Sequence, residues 1–110
     1  MKIKLNENEE LELLYSFRSN IYFEDMQGHS IDYEHFSAND LITLFYAVFI
    51  ASLQKARKPI IPMIDFLDII DENGGEQCLM EFSDWYTKTI YAQFEQIKSS
   101  IDEKEDTKKK

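Results

Sequence analysis

Ser37-Ala38-Asn39-Asp40-Leu41-Ile42-Thr43-Leu44-Phe45-Tyr46-Ala47-Val48-Phe49-Ile50-Ala51-Ser52-Leu53 is the stretch that decides the fold. Its first four residues have the form of a capping box, with Asp40 where Glu or Gln is usual. The Ser side chain satisfies a free N–H of the first turn, and the acid three residues on reaches back. Over 41–53, 11 of 13 residues are apolar, and they fall on every face of a helix. In a water-soluble protein such a helix is buried on most sides. The spacing predicts a central buried helix over 38–55. Lys55, Arg57 and Lys58 stand at its C-terminal end, where cations suit the helix dipole. Thirteen helical residues span roughly 20 Å, and a bilayer core takes about 20 residues, so no membrane partner is expected.

Upstream, Ile3 and Leu5 alternate with Lys2 and Lys4, and Leu11, Leu13 and Tyr15 alternate with Glu12. Two period-2 runs around the polar patch Asn6-Glu7-Asn8-Glu9 predict a β-hairpin. Ser16 can cap a helix over 17–27, with Phe17, Ile21 and Met26 on one face and Gly28 as its left-handed stop. Residues 29–36 read as a loop. Downstream, Pro59 and Pro62 break the chain, and Pro62 suits the first position of a helix that Asn73-Gly74-Gly75 ends. From Glu76, Leu79, Phe82, Trp85 or Tyr86, Ile90, Phe94, Ile97 and Ile101 recur at steps of three and four, a long helix over 76–101. The tail 102–110 has no apolar residue and should be disordered. The expected fold is mainly α with a small N-terminal β-hairpin (α+β), about four helices in a single domain over 1–101.

The chain has 110 residues, 44% of them hydrophobic and 14% aromatic, and a net charge of −9. That composition excludes disorder throughout and argues against nucleic acid, which needs a basic patch. The single cysteine, Cys78, excludes an internal disulfide. The N-terminus turns acidic at once and has no apolar h-region, so no signal peptide is expected. His29, His35 and Cys78 lack the spacing of a zinc site, and no metal or cofactor is expected. A calcium-loop reading that starts at Asp71 fails, because position 5 is Gly75 and position 12 is Phe82. No serine sits in a Gly-x-Ser-x-Gly elbow and no glycine-rich phosphate loop occurs, so no catalytic residue is assigned.

Two features remain. Asp65, Asp68, Asp71 and Glu72 lie at steps of three and four, within a stretch 59–87 that holds seven acids and no Lys or Arg. They form either a solvated face or a docking surface for a basic partner. Phe82, Trp85, Tyr86, Tyr91 and Phe94 crowd one helix. Either all are core, or some stay exposed for self-association or for a partner. On the second reading Trp85, Tyr86, Ile90 and Phe94 meet the partner, and Asp65 and Asp68 steer it.

Taken in order, these segments resemble the tail assembly chaperones of long-tailed phages and prophages. The resembling residues are the β start Lys2-Ile3-Lys4-Leu5, the helix that begins Phe17-Arg18-Ser19-Asn20-Ile21 and ends at Gly28, and the buried helix from Asp40. Pro62-Met63-Ile64-Asp65-Phe66-Leu67-Asp68-Ile69-Ile70-Asp71 and Phe82-Ser83-Asp84-Trp85-Tyr86 complete the match. The resemblance implies a non-enzymatic protein of the host cytoplasm, absent from the mature virion. It would bind the long helical tape-measure protein, with the tail tube protein a second partner, during tail assembly. The alternative is an acidic regulatory adaptor, antitoxin-like or anti-repressor-like, that masks a basic protein.

Overall fold

A computed structural model of the chain describes the backbone of residues 1–109 and the side chains of residues 1–93. The side chains of Phe94 and of the tail 102–110 lie outside the described residues, but the backbone of α4 runs to Lys109, so the helix passes the end expected at 101 and takes in the tail expected to be disordered. The elements are β1 (Lys2–Lys4), β2 (Glu10–Glu12), α1 (Phe17–Gln27), a 3-10 turn (Tyr33–His35), α2 (Ala38–Lys55), α3 (Met63–Glu72) and α4 (Glu76–Lys109). The fold is therefore mainly α with a small N-terminal hairpin. No helix among the described residues is long and apolar enough to cross a membrane.

The hairpin is antiparallel, with Ile3 opposite Leu11. Both are buried while their strand neighbours are exposed, as the period of two requires. The second strand is shorter than the alternation through Tyr15 predicts, because the backbone changes partners. Leu13 N–H still bonds to the carbonyl of Met1, but Leu14 N–H donates to the Ser52 hydroxyl at 2.9 Å. The chain has by then left the strand to dock on α2.

The capping box of α2 is complete: Asp40 N–H donates to Ser37 Oγ at 3.0 Å, and Ser37 N–H to Asp40 Oδ2 at 3.1 Å. Gln27 also donates to the Asp40 carboxylate, which ties the end of α1 to the start of α2. The backbone N–H of Ser37, followed by the Gln27 amide, holds the Asp40 carboxyl below its ordinary range. From Thr43 to Phe49 every residue of α2 is buried. Phe45 is the junction. Its ring stacks on Phe82 of α4 with centroids 4.1 Å apart and meets Phe66 of α3 edge-on at 5.2 Å.

The structure corrects three local expectations. Ser16 stands at the N-cap of α1 but its side chain makes no capping bond; instead the Ser19 hydroxyl donates to the Ser16 carbonyl at 2.6 Å. Pro62 is the N-cap of α3, and Met63 is its first helical residue. The third correction matters most. Phe17, Ile21 and Met26 do not face the core; α1 buries Ser19 and Phe23, and Phe17 stays 77% exposed. Ser19 has almost no side-chain bulk, so its face lets α1 approach α2 closely, and Phe23, four residues on, shares that face. Asn73 does more than end α3: its side-chain amide donates to the Lys4 carbonyl at 2.9 Å, and its side-chain oxygen accepts from Lys4 N–H at 3.0 Å.

Phe45→Ala removes the ring shared by α2, α3 and α4. It is expected to cost about 3–5 kcal/mol, read as the shift of a urea unfolding curve. Asp40 has a depressed carboxyl pKa in the fold, so its contribution is present above about pH 4 and lost as pH falls further. Asp40→Asn should flatten the fall in stability between neutral and acid pH, as measured by denaturant melts across that range.

Candidate docking groove

α3 leaves the body after Pro62, packs Phe66 and Ile70 inward, and returns at Gly74 and Gly75, both at positive φ. Glycine reaches that region without a Cβ penalty, so α4 starts directly beside the end of α3. This hairpin of helices crosses the N-terminal half of α2 without closing on it. A groove of about 330 Å³ remains, lined by Ile42 and Phe45 of α2, Phe66, Leu67, Ile70 and Asp71 of α3, and Gly75, Glu76 and Leu79 at the start of α4. Its walls are aliphatic and aromatic, and its polar groups are two carboxylates at one end. Leu67 on its edge is 43% exposed, and Ile64 and Met80 nearby are each 72% exposed.

The acids about the groove are uncompensated. Among the described residues, none of Asp65, Asp68, Asp71, Glu72 and Glu76 is in an ion pair. Helix geometry sorts them, at 100° per residue. Asp71 stands about 40° from Leu67 and lines the groove. Asp68 sits about 100° away on its shoulder. Asp65 lies about 160° round and faces elsewhere.

The site expected from sequence is thus spread over several surfaces. Trp85 is half-buried with its ring 5.9 Å from Phe82, and it lines a separate recess with Leu13, Tyr15, Lys55 and Thr89. It is six residues from Leu79, about 120° round α4, so it borders the hairpin side rather than the groove. Tyr86 belongs to the core: it is 4% exposed, its hydroxyl meets that of Tyr33 at 3.0 Å, and burial drives its phenol pKa well above the ordinary value. Ile90 is half-buried on the flank of Leu79, but about 16 Å further along α4. Asp65 and Asp68 are exposed on α3. None of these five lines the groove.

The remaining reactive groups do not converge. His29 Nδ1 contacts its neighbour's carbonyl, Ser30 O, at 2.8 Å, and its Nε2 lies 3.6 Å from Asp40. His35 Nδ1 lies 3.0 Å from Asp32 in an exposed turn. Cys78 is buried, and burial, aided by Glu81, raises its thiol pKa. No group of three or more metal-ligating side chains comes together among the described residues. The groove itself is an open apolar trough with Asp71 and Glu76 among its lining, a shape suited to taking apolar side chains.

Compared with models of known protein families, with curated proteins and with solved structures, the chain matches none.

Trp85→Ala is expected to lower the melting temperature, because the indole packs on Phe82, and to leave binding in the groove unchanged. Leu67→Asp should do the reverse. Thermal melts and partner titrations on both variants separate a packing role from a binding one.

Proposed function

We propose that this chain is a tail assembly chaperone: a non-enzymatic protein that holds a tape-measure protein in the host cytoplasm while the tail is built, and leaves before the virion is complete. The observation that carries this reading is the unpartnered apolar groove between α2, α3 and α4. A tape-measure chain is long and helical, and its apolar face needs cover until the tail tube protein encloses it. A trough with exposed Leu67, Ile64 and Met80 about it offers that cover by helix-in-groove binding. The net charge of −9 keeps the loaded complex soluble. The order and lengths of the segments quoted above support the same family.

A second reading is favoured by the uncompensated acids of α3. An adaptor that masks a basic toxin or repressor would use the same face, since complementary charge steers encounter.

Co-expression with the long helical protein encoded next to this chain, followed by pull-down, tests the first reading. Capture is expected, and Leu67→Asp should weaken it about thirtyfold, the equivalent of ~2 kcal/mol for one interface hot spot. Capture of a basic toxin or repressor instead, with the same dependence on Leu67, would leave the adaptor and remove the chaperone.

A further inference from the structure

α3 is the least anchored wall of the groove. Of its ten residues only Phe66 and Ile70 are buried, whereas α2 buries eleven of eighteen. Its ends are breaks in the helical backbone: Pro62 precedes it in extended conformation, and Gly74 and Gly75 follow at φ +118° and +61°. Two polar contacts hold those ends. At the first, the hydroxyl of the buried Tyr46 donates to the Ile61 carbonyl at 2.7 Å. At the second, the Asn73 amide grips Lys4, accepting from its N–H at 3.0 Å and donating to its carbonyl at 2.9 Å. Leu5 N–H bonds across the hairpin to the Glu9 carbonyl, so the alternation of an antiparallel ladder turns Lys4 to the outer edge of β1. Asn73 thus does for one residue what a third strand would do for that edge. Its amide also donates to the Ile69 carbonyl at 2.7 Å, which holds the side chain in place for Lys4. Round α3, Asn73 stands about 20° from Phe66, while Leu67 and Asp71 stand about 100° and 140° from Phe66, on the groove flank. The grip on Lys4 therefore draws α3 down on the body along the line of Phe66.

We propose that α3 is a movable wall of the groove and that Asn73 on Lys4 is its latch. Release of the latch lets α3 turn outward about the Tyr46–Ile61 contact and opens the groove to the full apolar face of a helical partner. This rests on the reading that the groove is the docking site, and it adds the regulation of that site. As it stands the groove is small for the role. Its volume of about 330 Å³ is at the lower end of the roughly 300–1,000 Å³ that small-molecule pockets occupy. A docked amphipathic helix inserts a row of anchors at i, i+3 or i+4, and i+7. The space takes few of them unless a wall gives way. The two ends of α3 differ in a way that assigns their roles. Tyr46 is buried and Phe66 beside it packs on Phe45, Tyr46 and Phe49, so that end is the pivot. The Asn73 bonds lie at the surface, where water can replace them, and Ile70 is the one buried side chain near them. Opening at that end uncovers little apolar area. Once lifted, a helix of ten residues is too short to hold its own hydrogen bonds for long, so opening also frays it.

Amide hydrogen exchange on the full chain, followed by NMR, tests this. The amides of Leu67 to Ile70, with that of Lys4, should be less protected than those of Leu44 to Leu53 in α2, because they exchange through an opening of their own. Asn73→Ala should raise exchange at the α3 amides about tenfold, as expected for the loss of two hydrogen bonds of ordinary strength, and leave α2 unchanged. Asn73→Asp can accept from Lys4 N–H but cannot donate to its carbonyl, and should fall between. Circular dichroism checks that both variants fold. Asn73→Ala should also bind the long helical protein encoded next to this chain more tightly, by up to the same factor, because a partner that needs the open form gains as that form becomes more populated. An Asn73 that only supports the fold predicts weaker binding instead. Equal protection of α3 and α2 in the parent, or a rise in both together in Asn73→Ala, would overturn the movable wall. So would faster exchange in α3 with unchanged or weaker binding, since α3 would then move without gating the groove. If neither chain captures the neighbouring protein, the tail-assembly reading falls, and the exchange pattern by itself decides for or against the latch.

Discussion

Phe45 is the residue on which the rest of the structure depends. Its ring lies flat on Phe82, with 4° between the planes, and stands edge-to-face with Phe66 at 81°. Three helices thereby share one ring. Offset-stacked and edge-to-face pairs gain about 0.5–1.5 kcal/mol beyond their area, and a small domain has few such contacts to spare. The position of α3 over α2, and so the existence of the groove, follows from this cluster. Phe66 is drawn to Phe45, Tyr46 and Phe49 at one place on α2. Ile42 of α2 and Leu67 of α3 line the gap that remains beside it.

Polar contacts fix the ends of elements that the aromatic cluster does not reach. Asp40 serves two helices, capping α2 while it receives the Gln27 amide from α1. Asn73 joins the C-terminus of α3 to β1 through paired bonds to Lys4. Ser52 accepts Leu14 N–H and also donates to the Val48 carbonyl at 2.7 Å, so a buried hydroxyl within α2 holds the segment that links hairpin and α1. The N–H groups of Ser37 and Leu14 find side-chain acceptors in this way, and leaving a buried donor bare costs more than the bond contributes.

Charge is distributed by the same architecture. The chain is acidic overall, yet Arg18 and Lys55 collect on one side of α2 and Asp71 and Glu76 on the other. Each side also carries exposed apolar residues. A surface that combines uncovered hydrophobic side chains with one sign of charge is suited to a partner of the opposite sign. That pairing underlies the helix-binding role proposed for the groove.

Much of the fold was legible in the residues in order. The capping box at Ser37 and Asp40, the run of apolar residues through Leu53, the Gly28 and Gly74-Gly75 stops and the period of two in the hairpin are local signals. They depend on hydrogen bonds and periodicities within a few residues, so they survive without knowledge of what packs where. The side of α1 that turns inward was not legible. Phe17 and Ile21 are more apolar than Ser19, and only close packing against α2 makes the small residue the better one to bury. The groove was equally hidden, because its walls come from residues between 42 and 79 that share no sequence period. Asp71 could be seen as one of four acids on a helix, but its place on the rim depends on where Leu67 faces once Phe66 has docked. The sequence alone determined the helices, the Gly28 and Gly74-Gly75 stops and the buried centre, through local hydrogen bonding and hydrophobic spacing; the end of α4, expected at 101, lies at Lys109. The tertiary structure alone decided which aromatics were consumed, as Tyr86 is, and which surfaces stayed open, because burial is settled by competition among all the elements for one small core.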